Sequence, residues 1–408
     1  MNKTNFLLLF FSLFLSISEV NNSDLTIFIS IVILLIDFVR RGISVNDLKL
    51  ITPLLLIVMF GAVVGILNLG FTNKDLYRDV YKTLSPVIFI LLGANLNTNI
   101  KIRTDLFINS VVLAGIYISL RHLLLIIIEI SIQGLNFQAI RGVGGNMSLV
   151  TILAVVFCWS FREELSEGLA KIRTGLCMLF LLSLLLYVSR TMLVIFIPFV
   201  LLFLLNNINL KRILLYIFYL VSFGMFLKLI SRFDVFDELF IKFTKSFTEI
   251  NYQYQSWDWV TINNNWRGYE IFLVLQQMKY APFLTQVFGF GFGALLDLGV
   301  YILLGNNYFS SIPILHNGYY YILYKVGFVG LFLLILFFAL ALYRSVKNLI
   351  HSIGEQKKYY LLLIGCYVGS MSSMYVISGF YNGVNTLSFC MAIGYFERKM
   401  RRMRRTGR

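Results

Sequence analysis

Residues 316–342 read HNGYYYILYKVGFVGLFLLILFFALAL, and this stretch decides the fold. From Gly318 onward it is an apolar run long enough for a hydrocarbon core, which needs about 20 residues of helix. Similar runs follow at 359–378 and 385–396. Others precede it at 5–20, 24–39, 50–70, 82–96, 105–131, 147–161, 174–189, 192–206 and 213–230. The pattern predicts an all-α polytopic membrane protein with about twelve transmembrane helices, the shorter of which must extend into flanking residues.

The composition agrees. Of 408 residues, 58% are hydrophobic and 13% charged, and the mean hydropathy is +0.79. A soluble domain rarely carries that balance. The expectation is one integral membrane domain over 1–408, with no room for a separate soluble domain of ordinary size. Residues 5–19 resemble a signal peptide. More apolar segments follow and no small-residue cleavage site is evident, so they read as a retained first span. Cys158, Cys177, Cys366 and Cys390 all lie in apolar segments, with neither metal spacing nor a disulfide framework.

The net charge of +15 does not point to nucleic acid. With the N-terminus in the cytoplasm, the inner loops hold Lys3; Arg40, Arg41 and Lys49; Lys101 and Arg103; Arg162, Lys171 and Arg173; Lys211 and Arg212; Arg344, Lys347, Lys357 and Lys358. The tail FERKMRRMRRTGR falls on the same side. Short outer loops hold few basic residues: Lys74, Arg78, Lys82 and Arg141. Cytoplasmic loops carry such an excess of lysine and arginine, so both termini are expected inside.

One outer connection is long, from 231 to 317. It holds Trp257, Trp259 and Trp266 and several hydrophobic runs, which argues for structure rather than a linker. Residues 267–280 predict a helix ended by Pro282. On it Arg267, Glu270 and Gln277 share one side at 100° per residue, with Val274 among them. Such a helix would lie on the outer membrane surface or pack into the bundle.

His316 sits where this long loop re-enters the membrane. Histidine titrates near neutral pH and can take a proton from a sugar hydroxyl; an ordinary histidine there would merely cap the span. Arg190, in YVSRTM, lies at the outer end of its span, where a snorkelling arginine is the plainer explanation. Arg267, in NNWRGYE, opens the loop helix, where a local pair with Glu270 is the alternative. Arginine presents a planar fork of donors suited to phosphate. Ionisable groups near a bilayer are costly and tend to mark working sites.

Gly289–Gly293 reads GFGFG without the strand–helix setting of a dinucleotide site, so it is a bend or a close backbone approach. A second glycine-rich outer loop spans 141–146 and begins at Arg141. Arg121, His122 and Glu129 lie inside the apolar segment 105–131. Arg121 and Glu129 are too far apart for a direct pair on one helix face. The segment should therefore break near Arg121, or the arginine should face a polar cavity. His351 falls in an inner loop and should be solvated. Tyr252 and Tyr254 could stack on sugars, although aromatic residues are common at membrane interfaces.

No HExxH, nucleotide-binding loop, paired-cysteine motif or acidic cluster with metal spacing occurs, so no metal or cofactor is expected. The energy for a reaction must then arrive with the substrate. On the outer face a lipid pyrophosphate is the natural activated donor.

At these residues the chain resembles the bacterial O-antigen polymerase (Wzy) and O-antigen ligase superfamily. The resemblance rests on SRT at a span's outer end, WRGYE in the long loop, GFGFG, and HNGYYYILYKVGFVGL opening the next span. It implies a GT-C-like helical fold, an undecaprenyl-pyrophosphate-linked oligosaccharide as donor, no metal, and the bacterial inner membrane with a periplasmic active site. It further implies that Arg190 and Arg267 hold the pyrophosphate and that His316 is the base. Arg141, Glu270, Asn317 and Gly291 are further candidate substrate contacts, and a chain-length regulator is a candidate partner. GFGFG close before HN and its tyrosines looks more like a polymerase than a ligase. A lipid-linked oligosaccharide flippase would also have about twelve spans, but with a central cationic cavity and short outer loops.

Overall fold

The computed structural model describes residues 10–16, 23–41, 44–70, 73–98, 103–133, 143, 149–187, 189–206, 252–253, 256–304, 307–376, 378–381 and 387–405. Its helices in chain order are α1 (Ser23–Arg41), α2 (Val45–Leu69), α3 (Lys74–Thr98), α4 (Thr104–Gln133), α5 (Leu149–Ser160), α6 (Glu167–Leu186) and α7 (Arg190–Asn206). Then come α8 (Trp259–Asn264), α9 (Trp266–Tyr280), α10 (Phe283–Phe288), α11 (Gly318–Ile350), α12 (Glu355–Val376) and α13 (Leu387–Arg405). The expected spans coincide with helices to within a few residues at most ends. The span at 213–230 and most of the one at 5–20 lie outside the described residues. Several features differ. Helices α3 and α6 begin about two turns before the expected 82 and 174, so that Lys74, Arg78 and Lys82 fall within α3. Helices α11 and α13 run on through their basic ends, and an antiparallel hairpin, β1 (Leu296–Leu304) with β2 (Asn307–Ile312), stands in the long loop.

Among the described residues five helices are long and apolar enough to cross a membrane: α2, α4, α6, α11 and α12. Their surfaces show why water cannot be the solvent. On α11, Phe328, Phe332 and Ile335 form an exposed apolar stripe, while Leu334, Phe337, Phe338 and Ala341 are buried. A helix that is apolar all round belongs in a large core or in lipid. This is a helical, membrane-embedded protein.

The chain forms two compact units, one of Met1–Val20 with Thr104–Thr248 and one of Asn21–Arg103 with Glu249–Arg408. In the first, α5 packs against α4, α6 and α7 and is buried from Leu149 to Cys158. Its α4 is continuous through Arg121, so of the two alternatives for that segment the break does not occur. His122 on α4 stacks on Tyr187, with ring centroids 3.8 Å apart, and its Nδ1 lies 3.1 Å from Ser183 Oγ.

In the second unit the most extensive pairing is α3 with α13. A Cβ at Gly93 would strike the Met391 carbonyl, and one at Gly394 would strike the Ile90 carbonyl. In a membrane, where burial of apolar surface drives little, such small-residue crossings gain dispersion energy by letting backbones approach. Helix α2 packs against α11, and α11 against α12.

Candidate active site

Helix α9 carries one half of the site. It begins at Trp266 and ends before Pro282, as the sequence predicts. Just upstream, α8 starts under a cap in which Asp258 accepts a hydrogen bond from the Thr261 N–H (2.7 Å). Tyr269, Ile271, Leu273, Val274 and Met278 of α9 are buried. Outside the membrane each large apolar side chain so buried is worth roughly 1.5–3 kcal/mol. Trp257 packs on Tyr269 and Phe272, with centroids 5.1 and 5.5 Å away. The Tyr269 hydroxyl donates to the Leu298 carbonyl of β1 (2.6 Å). Gln277 Nε2 donates to the Asp297 carbonyl (2.8 Å), and the Tyr324 hydroxyl of α11 reaches Gln277 Oε1 (3.1 Å). The helix is thus pinned between the hairpin and α11.

That packing buries Glu270, whose side chain is 1% exposed. An unpaired carboxylate there would cost more than its neighbours contribute. Glu270 is doubly paired, and both partners belong to His316. Oε1 lies 2.7 Å from His316 Nδ1, and Oε2 accepts the His316 backbone N–H at 2.8 Å. The next residue, Asn317, is buried and caps α11. Its Oδ1 accepts from the Tyr319 and Tyr320 N–H groups (3.0 and 3.3 Å), and its Nδ2 donates to the Tyr375 carbonyl (3.1 Å). Ring and backbone of His316 are therefore fixed from two sides. With Nδ1 turned to the carboxylate, Nε2 has no hydrogen-bond partner among the described residues, and the ring remains 49% exposed. The hydrogen bond that His316 donates to Glu270, with the carboxylate's charge, raises the His316 pKa above the ordinary 6.5, while burial and the charge of nearby Arg267 act against this. A histidine held this way by a carboxylate has the chemistry to accept a proton at Nε2.

Arg267, one turn before Glu270, is half-buried and close enough to act on His316 electrostatically. Arg190 opens α7 in the other unit, and its side chain lies outside the described residues, as does all of Arg141. Glu270, expected as a substrate contact, instead spends its carboxylate on His316. Asn317 spends its amide on the backbones of α11 and α12.

No protein-family model matches this chain, and no curated protein matches it. The functional reading therefore stands on geometry.

The GFGFG segment makes a close approach of backbones. Helix α11 is interrupted at Gly327 (φ 70°, ψ −164°), a conformation essentially reserved for glycine. The interruption leaves carbonyls of the preceding turn free. The Phe290 N–H takes the Tyr324 carbonyl (2.9 Å) and the Gly291 N–H that of Lys325 (3.0 Å). On its other side the segment meets α2, where the Phe292 N–H donates to the Gly61 carbonyl (2.9 Å). Gly291 itself has φ 90°, and a Cβ there would lie 2.5 Å from the Gly65 nitrogen. Gly291 is thus held between α2 and α11 as a structural joint.

Sequence reasoning passed over a buried ionic cluster beside that joint. Asp79 of α3 and Lys325 of α11 are 0% and 1% exposed, with Nζ and Oδ2 2.6 Å apart. Asp79 Oδ2 also accepts the Gly293 N–H (2.8 Å), its Oδ1 meets Arg78 at 3.1 Å, and Lys325 Nζ donates to the Ala294 carbonyl. The signal was present: Lys325 is an ionisable residue inside an apolar run, and such a residue needs a partner. Among the described residues no three His, Cys, Asp or Glu side chains converge as a metal site would require.

Proposed function

We propose that this protein is an inverting glycosyltransferase of the O-antigen polymerase kind. It would join undecaprenyl-pyrophosphate-linked oligosaccharide units at the periplasmic face of a bacterial inner membrane. The observation that carries the reading is the double grip of Glu270 on His316, which leaves a half-exposed ring whose Nε2 has no partner among the described residues, at the start of a candidate span.

In this reading a hydroxyl of the incoming lipid-linked unit attacks the anomeric carbon of the growing chain. His316 Nε2 takes the hydroxyl proton as the new glycosidic C–O bond forms. The bond from the anomeric carbon to pyrophosphate breaks, and undecaprenyl pyrophosphate leaves with the electron pair. Glu270 stabilises the imidazolium that results, and Arg267 offsets the charge building on the leaving group, a role that the sequence resemblance implies for Arg190 as well. One displacement inverts the anomeric centre, as in inverting glycosidases. The twelve-span GT-C-like topology belongs to the same proposal.

The test is His316→Ala in the source bacterium, with membrane insertion checked by immunoblot. A polymerase without its base leaves lipid A–core carrying a single repeat unit and no ladder. Bare core with lipid-linked polymer accumulating would instead identify a ligase. Bare core with repeat units held in the cytoplasm would identify a flippase. A normal ladder would remove His316 from the mechanism.

A further inference from the structure

The far end of α11 from His316 holds a cavity. Gly318 and Arg344 are separated by roughly 40 Å of helix at 1.5 Å per residue, more than the hydrocarbon core of a bilayer. There, between α2, α11, α12 and α13, lies a cavity of about 220 Å³. Four cations line it, Lys49, Arg344, Arg401 and Arg404, against one carboxylate, Glu397.

The carboxylates nearby are already engaged. Glu397 Oε1 accepts from the Tyr367 hydroxyl (3.0 Å), with Arg401 Nε 3.8 Å from Oε2. Asp47, beside the cavity, pairs with Arg398 (2.9 Å) and Arg401 (3.1 Å). Arg404 donates to Asn348 Oδ1 (3.1 Å). Lys49 and Arg344 have no ionic partner among the described residues, which leaves two cations unspent at the rim.

The walls supply the independent observation. Ser345 and Tyr360 line the cavity and are 2% and 3% exposed, yet neither hydroxyl has a hydrogen-bond partner among the described residues. Among the described residues Ser30, Ser110 and Ser370 donate back to the carbonyl four residues earlier, of Thr26, Leu106 and Cys366. Ser345 does not, and neither do the buried Ser119 and Ser388, but of these three only Ser345 lines the cavity. Buried hydroxyls without partners are costly, and both belong to residues that line this cationic cavity.

We propose that this cavity binds a phosphate group, supplied by an anionic phospholipid headgroup or by a soluble phosphate. Several tetrahedrally disposed oxygens suit donors converging from four helices, and arginine with lysine supplies the charge. Basic pockets between membrane helices bind lipid headgroups by this chemistry. The proposal is independent of the glycosyltransferase reading, because every residue in it is a helix length from His316.

The experiment uses the full chain in two arms. In detergent, native mass spectrometry measures retained phosphatidylglycerol against phosphatidylcholine. In phosphatidylcholine nanodiscs, inorganic phosphate is titrated and binding followed by thermal shift. Saturable binding in at least one arm is expected, with Lys49→Ala/Arg344→Ala weakening it by about tenfold or more, since two charge-assisted contacts are lost. Tyr360→Phe, which changes no charge, should weaken it about threefold or more by removing a hydrogen bond. The control Lys347→Ala/Lys357→Ala removes the same charge from residues outside the cavity and should leave binding intact. Binding confined to the lipid arm names a headgroup, and binding confined to the phosphate arm names a soluble ligand. Absence of saturable binding in both arms, or equal loss in the control pair, overturns the proposal.

Discussion

Glu270→Gln keeps the volume of the site and removes its charge. The carboxylate accepts two hydrogen bonds from His316, at 2.7 Å from Nδ1 and 2.8 Å from the backbone N–H. A carboxamide has one acceptor oxygen, so it cannot serve both. If the oxygen faces Nδ1, the NH₂ group confronts the backbone N–H, two donors together, at a cost of about 1–3 kcal/mol. If the amide turns over, Nδ1 must accept and the ring proton moves to Nε2, which abolishes the base. In both orientations the imidazolium formed during transfer loses its counter-charge. A positioned general base contributes about 10²–10⁴ in rate, so polymer formation should fall by that range, roughly 3–5 kcal/mol of barrier. The assay is the initial rate of glycan elongation by purified full-length protein on a lipid-linked repeat unit, followed across neutral pH. Glu270 raises the His316 pKa, so the acidic limb of the residual activity should move to lower pH in the variant. Stability should follow the same sign. A histidine whose folded pKa is raised contributes stability below its ordinary 6.5, and that contribution is lost as pH rises through the raised value. The gap between wild type and variant should therefore be widest in acid and narrow above neutrality. A well-inserted variant with near-normal rate and an unmoved acidic limb would refute the claim that Glu270 positions His316 as a base.

Arg267→Lys keeps the charge and loses the planar fork, so if that fork grips pyrophosphate the polymer ladder should drop at least about tenfold at normal protein level; an undiminished ladder would reduce Arg267 to a point charge or less. Asp79→Asn leaves the buried Lys325 without its counter-ion and should cost about 3–5 kcal/mol, read as a lowered melting temperature in detergent. Asp79→Asn combined with Lys325→Met should recover much of that loss, and equal destabilisation in single and double variants would contradict the pairing. A reporter fused after Arg408 should read cytoplasmic and one inserted within 245–260 periplasmic, given the lysine and arginine bias of the short loops; the reverse would place His316 on the wrong face.

The sequence by itself determined the helical membrane character and most helix positions, because apolar runs of bilayer length have few other uses and each span needs only local information. It also determined the ends of α9, since Pro282 cannot continue a helix, and it singled out His316 and Arg267 by the rarity of ionisable groups at a membrane. Tertiary structure alone decided what those residues do together. Glu270 and His316 are far apart in sequence, and only the packing of α9 between the hairpin and α11 brings carboxylate to imidazole. The same holds for Asp79 and Lys325, and for the GFGFG segment, whose partners are carbonyls that become free only where α11 breaks at Gly327. Local sequence announces a span or a turn. It does not announce which distant buried group will satisfy a charge, because that pairing is settled by how whole helices pack.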